Sequence, residues 1–303
     1  TEATHISQEG RITPNCLGIW NNEQRDAFKR TTSFILEQGA IPAIQIGHAG
    51  RKASTSRPWE GTRSISPKEP GGWQTIAPTD QPFADWHPPE AMNSGMIDQV
   101  LDDFSKAARR ALEAGFRLLE IHAAHGYLAH SFLSPLSNSR TDGYGGNIEN
   151  RARFIMEAID AVRASWPNDL PLFLRLSCTD WVEGGLTLDD TVKIVRLIRE
   201  QGAVDLIDCS SGGNDPRQQI PVHPGYQVPF AERIKRETGM KTAAVGLLHS
   251  PDFCEEIIAN GRTDLVVLGR TLLADPYWPL HAATKLRAKN LLWPVQYERA
   301  NIF

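Results

Sequence analysis

Short apolar runs alternate along the chain with longer stretches in which apolar residues recur every three or four positions. The runs are Ile41–His48 (IPAIQIGH), Leu118–Ile121, Pro171–Leu176 (PLFLRL), Val204–Cys209, Thr242–Val245 and Asp264–Leu268. Runs this short, bounded by Gly, Pro or polar clusters, read as buried strands. The stretches between them read as amphipathic helices. One spans 23–38, with Phe28, Ile35 and Leu36 on its apolar face, Asn21-Asn22 to cap it and Gly39 to end it. Another spans 96–115, with Ile97, Val100, Leu101, Phe104, Ala108 and Leu112 on one side. Further helices are expected over 147–166, 187–202 (Thr187 as N-cap), 231–239, and between Ser250-Pro251 and Asn260-Gly261.

Strand and helix alternate six times, the pattern of successive βαβ units. The predicted fold is a single α/β domain over 1–303, a TIM (β/α)8 barrel; the alternative is an open doubly wound sheet. Six units are two strands short of eight, and Thr1–Thr4 reads as the end of a strand whose beginning is missing. Residues 53–93 form a long loop rich in Pro, Gly and Trp. Loops of this length serve as lids or binding loops, or merely cover a barrel rim. The chain closes in an extended tail over 293–303.

Composition narrows the partners. The chain has 303 residues, 41% hydrophobic and 22% charged, with a net charge of −4. Nothing in that balance suggests a nucleic-acid or membrane-surface partner. Cys16, Cys178, Cys209 and Cys254 form no CxxC pair, so reduced thiols in a cytoplasmic protein are expected. No apolar run approaches the ~18 residues of a membrane helix, and Thr1–His5 has no signal-peptide core.

The chemistry concentrates at strand ends, where α/β proteins meet their ligands. The strand from Leu118 runs into His122, His125 and Tyr127. Two imidazoles and a phenol can hydrogen-bond an oxygen and deliver a proton. A strand-end His is also a common structural residue, and His-x-x-His can be a metal pair. Gln45 ends an earlier strand and offers an amide. Arg175 lies among apolar neighbours, so it is expected to point into the barrel mouth toward an anionic partner. Gly246 and Gly269-Arg270 end the last two strands, where this fold holds phosphates. A phosphate at one side, a planar hydrogen-bonding group at the centre and a His/His/Tyr cluster facing it fit flavin mononucleotide.

The segments IHAAHGYL…FLSPLSNSRTDGYGGNIENRARF, IQIGHAGRKAS, RPWEG, SSGG, PGYQVPFAERI, AVGLL and VVLGRTLLADP resemble the Old Yellow Enzyme family of flavin-dependent ene-reductases. The closing PVQYER points to its bacterial, thermophilic-like or xenobiotic-reductase-like branch. The resemblance covers nearly the whole chain. It implies a TIM barrel that binds FMN, with NADPH or NADH as hydride donor in a ping-pong cycle.

The resemblance also implies roles. Gln45 would bond the pyrimidine edge of the flavin. Arg175 would sit near N1 and O2. Ala3 would offer a backbone contact. Gly246, Gly269 and Arg270 would hold the phosphate. His122 and His125 would both donate to the carbonyl oxygen of an α,β-unsaturated substrate. Hydride would then pass from flavin N5 to the β-carbon, and Tyr127 would protonate the α-carbon. Arg299 resembles a C-terminal arginine that reaches into a neighbouring subunit's site, which implies a homodimer or homotetramer. Family members open with a further strand, helix and strand, about 50–60 residues by the size of one βαβ unit, so a barrel lacking them is expected here. Cys16, in a loop, does not match the family's flavin-side cysteine. Two other readings stand beside this one: a truncated barrel with little flavin and no turnover, and a metal-dependent hydrolase using Glu120, His122 and His125.

Overall fold

The structure is a computed structural model, and it describes residues 1–288 and 293–300. Seven parallel strands form one sheet in the order β1 (Ala3–His5), β2 (Ala43–Gly47), β5 (Leu118–Ala123), β6 (Leu172–Ser177), β7 (Leu206–Ser210), β8 (Lys241–Ala244) and β9 (Leu265–Val266). They are the six runs of the apolar pattern plus the strand end at the N-terminus. Consecutive strands neighbour each other throughout, as in a barrel wall. Among the described residues β1 and β9 do not pair with each other, so the wall is open at that side.

The connections run through α1 (Asn22–Glu37), α2 (Ser94–Glu113), α3 (Leu128–Leu133), α4 (Ile148–Arg163), α5 (Leu188–Gln201), α6 (Val228–Thr238) and α7 (Pro251–Ala259). After β9 come α8 (Arg270–Ala274) and α9 (Trp278–Lys285). Their starts follow local chemistry. The Asn21, Asn93, Asn147 and Thr187 side chains each accept a backbone N–H of the first turn, satisfying donors that the helix itself cannot. Most of the buried apolar side chains form one cluster between sheet and helices, with Phe104, Phe116, Phe132, Phe154 and Trp166 among the largest.

Three features depart from the apolar pattern. Leu36 on α1 is exposed rather than buried, as is Phe34, because this helix packs through Phe28 on Phe116 and Thr32 on the Ala114 carbonyl. The 53–93 loop carries two short strands, β3 (Ile76–Ala77) and β4 (Glu90–Ala91), paired parallel with each other. The six-residue α3 follows Tyr127 directly, in a stretch to which the apolar pattern assigns no element.

Register places the site. Gln45 lies opposite Ala3 on one side and Glu120 on the other. His122 lies opposite Arg175, and Arg175 opposite Asp208. Side chains two residues apart share a face of a strand. Glu120 and His122 therefore look the same way, in successive layers.

Candidate active site

The site begins where β5 ends. His125 and Gly126 both take left-handed backbone conformations, φ +59° and +75°, and turn the chain back so that the imidazoles of residues 122 and 125 face each other. Their ring centres are 5.0 Å apart, and His125 Nδ1 lies 3.2 Å from His122 Nε2. The Ala124 N–H donates to His122 Nδ1, which leaves the His122 proton on Nε2. At the far edge of the second ring, His125 Nε2 meets Ser210 Oγ at 2.7 Å. Both imidazoles are held neutral. Burial pushes their pKa values well down; the Arg175 charge adds to this at His122, and the neighbouring His122 and Arg175 add to it at His125.

Tyr127 completes the cluster, its ring 4.9 Å from that of His122. Burial, and then the nearby Cys16, push its phenol up to about 12. It therefore remains protonated across the physiological range. Lys52 Nζ sits 5.4 Å over the Tyr127 ring and 4.6 Å over Phe83. The long loop thus reaches the edge of the site through Phe83.

Beneath this layer the sheet interior is polar. Gln45 Nε2 donates to Glu120 Oε1 at 2.6 Å, and Arg175 Nε lies 3.4 Å from Asp208 Oδ2. Burial, then the Asp208 charge, raise the Glu120 pKa to about 7, with Gln45 and Arg175 pulling the other way. Asp208 is raised as well, first by its burial. Two buried carboxyls in contact hold a proton better than either would alone.

To one side opens a cavity of about 560 Å³ lined by Arg175, Ser210, Tyr226, Gln227, Gly246, Gly269 and Arg270, among others. It brings together four residues expected around a flavin: Arg175, Gly246, Gly269 and Arg270. Ser210 belongs to both the cavity and the His pair, so the two are continuous. The chemistry of the lining fits an anionic, planar group. Arg175 Nε is buried with no hydrogen-bond partner, and among the described residues no carboxylate pairs with Arg270. Gly246 has φ +129°, and a Cβ there would stand 3.0 Å from the Tyr226 ring, so a side chain would strain the backbone and crowd the cavity.

The sequence-predicted residues fall into three groups. His122, His125 and Tyr127 form one cluster. Ala3 and Gln45 lie opposite each other on β1 and β2 at one side of β5, Arg175 on β6 lies at its other side, and Gly246, Gly269 and Arg270 line the cavity. Arg299 stands apart, exposed on the terminal turn Val295–Ala300, while residues 301–303 of the tail lie outside the described residues. The Glu120, His122 and His125 set is not gathered as metal ligands: Glu120 turns to Gln45, the two rings turn to each other, and no group of three candidate ligands is found among the described residues. Reading by residue type missed Ser210, Asp208, Lys52, Tyr226 and Gln227. Asp208 carried a signal of its own, a lone carboxylate inside an apolar run like Arg175 on the neighbouring strand, and the others lie in the segments SSGG, IQIGHAGRKAS and PGYQVPFAERI.

Such a wall of parallel strands, with polar groups gathered past its carboxyl ends, defines an α/β barrel-type enzyme. Comparison with known proteins defines the family. Residues 1–289 match the model of the NADH:flavin oxidoreductase / NADH oxidase family, which binds FMN, and the chain belongs to that family. It is 48% identical to an NADPH dehydrogenase of Geobacillus thermodenitrificans, over 98% of this chain and 82% of that protein. It is 44% identical to an NADPH dehydrogenase of Bacillus subtilis, over 98% and 82%. Among solved structures it resembles morphinone reductase, with a TM-score of 0.77 and 25% identity, covering 97% of this chain and 78% of that one. It also resembles a 2-naphthoyl-CoA reductase bound to 2-naphthoyl-CoA, with a TM-score of 0.83 and 27% identity; this chain is 93% covered but spans only 44% of that larger one. The fold is therefore the TIM-barrel type of the Old Yellow Enzyme family, and the activity is that of an FMN-dependent NADPH oxidoreductase.

Proposed function

We propose that the protein is an ene-reductase acting on small α,β-unsaturated carbonyl or nitro compounds. One observation carries this: His122 Nε2 and His125 Nδ1 converge to 3.2 Å at the edge of the cavity that Arg175 lines. Two neutral imidazoles can both donate to one oxygen if His125 carries its proton on Nδ1. Ser210 allows that tautomer, because its hydroxyl can donate to His125 Nε2. A carbonyl or nitro oxygen seated at the convergence would accept both N–H groups. The attached alkene would then be polarised, and negative charge developing on the oxygen would be stabilised.

Gln45, Arg175, Gly246, Gly269 and Arg270 are the residues to hold FMN, with Ala3 on the strand beside Gln45 offering its backbone. Bound FMN would supply the hydride chemistry between NADPH and the alkene β-carbon. Arg175 provides the cation suited to a ring that gains negative charge. Tyr127 would hold the proton for the α-carbon; with a pKa pushed up to about 12 it is a reluctant acid, suited to giving its proton only to a developing carbanion. A homodimer or homotetramer with Arg299 completing a neighbour's site, and a cytoplasmic location, belong to the same reading.

The test is the visible spectrum of the purified chain, without oxygen, as NADPH and then 2-cyclohexenone are added. Flavin bands that bleach with NADPH and return with the enone are expected. Bands that bleach but ignore enones and nitroalkenes alike would sink the ene-reductase reading. A folded, colourless chain that takes up no added FMN would favour the truncated-barrel alternative.

A further inference from the structure

The His125–Gly126 pair is left-handed at both residues, and its backbone polar groups are claimed by side chains. The His125 N–H donates to Ser177 Oγ at 2.9 Å, and Lys52 Nζ donates to the His125 carbonyl at 2.9 Å and the Gly213 carbonyl at 2.7 Å. The Gly126 N–H donates to His130 Nδ1 at 2.8 Å, and Ser131 Oγ donates to the Gly126 carbonyl at 3.1 Å. The packing is tight: a Cβ on Gly126 would stand 2.3 Å from the Gly213 carbonyl oxygen. A left-handed non-glycine residue is strained and persists only where its surroundings impose it.

His130 is the member of this set with its own support. The ring is fully buried on α3, and its Nε2 lies 3.1 Å from the equally buried Asp180 Oδ1, an ion-pair distance at which neither atom completes a hydrogen bond. Because Nδ1 accepts the Gly126 N–H, the proton of the neutral ring sits on Nε2, the nitrogen beside the carboxylate. The other oxygen, Asp180 Oδ2, accepts from Ser134 Oγ and from the Leu186 N–H. Asp180 therefore accepts two hydrogen bonds on Oδ2 and sets Oδ1 beside His130 Nε2 as its only polar neighbour, while the Gly126 N–H fixes the His130 tautomer.

We propose that His130, locked by Asp180, is a positioning residue that holds the His125–Gly126 turn and thereby sets where Tyr127 and His125 stand relative to bound substrate. This rests on the ene-reductase reading of the site. His130 touches no reacting atom; it acts through the Gly126 N–H, one residue from Tyr127. Removing the acceptor strands a buried N–H and frees the turn to relax. A displacement of about 1 Å at a proton donor costs on the order of 10²-fold in rate.

The experiment compares His130→Leu, His130→Asn and Tyr127→Phe as FMN-loaded proteins, reading para-substituted phenol affinity and, separately, flavin reduction by NADPH and flavin reoxidation by 2-cyclohexenone. In Asn the side-chain oxygen stands near the place of Nδ1, so the acceptor is kept while the link to Asp180 is lost. His130→Leu is expected to slow reoxidation by about 10–10²-fold and to weaken phenol binding, with flavin reduction less affected; His130→Asn is expected to recover only part of the loss, because it keeps the acceptor for the Gly126 N–H but not the lock. A Leu variant that loads FMN and melts earlier but reoxidises at the parent rate would overturn the proposal, leaving His130 a stabilising residue alone. If Tyr127→Phe slows reoxidation in that case, the site reading survives and only the positioning role falls; if Tyr127→Phe has no effect either, the site reading falls with it. Should His130→Leu fail to fold, Asp180→Asn decides. An amide there sets a donor against either His130 or the Ser134/Leu186 pair, so slowed reoxidation supports the lock and an unchanged rate refutes it.

Discussion

His122 Nε2 stands 3.2 Å from His125 Nδ1, and Ser210 Oγ closes the far side of the second ring at 2.7 Å. With its proton on Nε2, His122 donates to His125 Nδ1 in the unliganded pair; an oxygen seated between the rings would replace that contact, with the Ser210 hydroxyl turning from acceptor to donor at His125 Nε2. If Ser210 donates, both imidazoles present an N–H to the same point. His122→Ala or His125→Ala should each weaken phenol binding by about 10-fold or more, the worth of a hydrogen bond to a charged oxygen. Titration of the long-wavelength phenol–flavin absorbance measures this, and unchanged affinity would remove the oxygen-binding role. Ser210→Ala should cost less, a few-fold, by leaving the His125 tautomer undirected.

Tyr127→Phe should slow reoxidation of the reduced flavin by an alkene by about 10²-fold, at the lower end of general-acid effects, with flavin reduction by NADPH near the parent rate. Stopped-flow traces of the two half-reactions separate the outcomes. A collapse of flavin reduction instead would mean that Tyr127 serves the cofactor. Since burial and then Cys16 hold the phenol up at about 12, the reoxidation rate should show no break from Tyr127 between pH 6 and about 10.

Glu120 should make stability depend on pH. Its folded pKa, raised to about 7 by burial and then by Asp208, stands above the ordinary value of 4.5. Folding therefore favours the protonated acid. The contribution is full below about 4.5, falls as pH rises, and is gone above about 7, an effect on the order of a few kcal/mol. Glu120→Gln mimics the neutral acid and keeps an acceptor for Gln45. Thermal unfolding of the parent should weaken from pH 5 to pH 8, and the variant should flatten that dependence. A parent profile as flat as the variant's would mean that Glu120 is ionised in the fold.

Arg270→Ala should lower FMN affinity by about 10–100-fold, the range of a charge-assisted hydrogen bond to phosphate. Fluorescence titration of the apoprotein with FMN, and with riboflavin as the phosphate-free control, reads it. The variant should approach the parent in riboflavin binding; an equal loss for both ligands would place Arg270 at the ring rather than at the phosphate.

Much of the fold was legible because parallel strands are buried on both faces and read as unbroken apolar runs. Helix starts were legible because Asn21, Asn147 and Thr187 cap them locally. The cluster from His122 to Tyr127 was legible because it is contiguous in the chain. Ser210, Asp208 and Lys52 were not, because their roles rest on contacts that span 33–161 residues of sequence, set only by strand register and by a turn in the left-handed region. The Leu36 face of α1 was misread because periodicity shows which face is apolar, not whether anything packs against it.

The sequence alone determined the alternation of strand and helix along the chain and the strand ends that bear chemistry, because these depend on side-chain pattern and local capping. Only the tertiary structure decided that His125 Nδ1 faces His122 rather than solvent, that Glu120 meets Gln45 and Asp208 meets Arg175 inside the sheet, and that His130 stands between the Gly126 N–H and Asp180. Those facts depend on distances between groups far apart in the chain, and such distances exist only once the sheet has set its register and burial has removed water from between them.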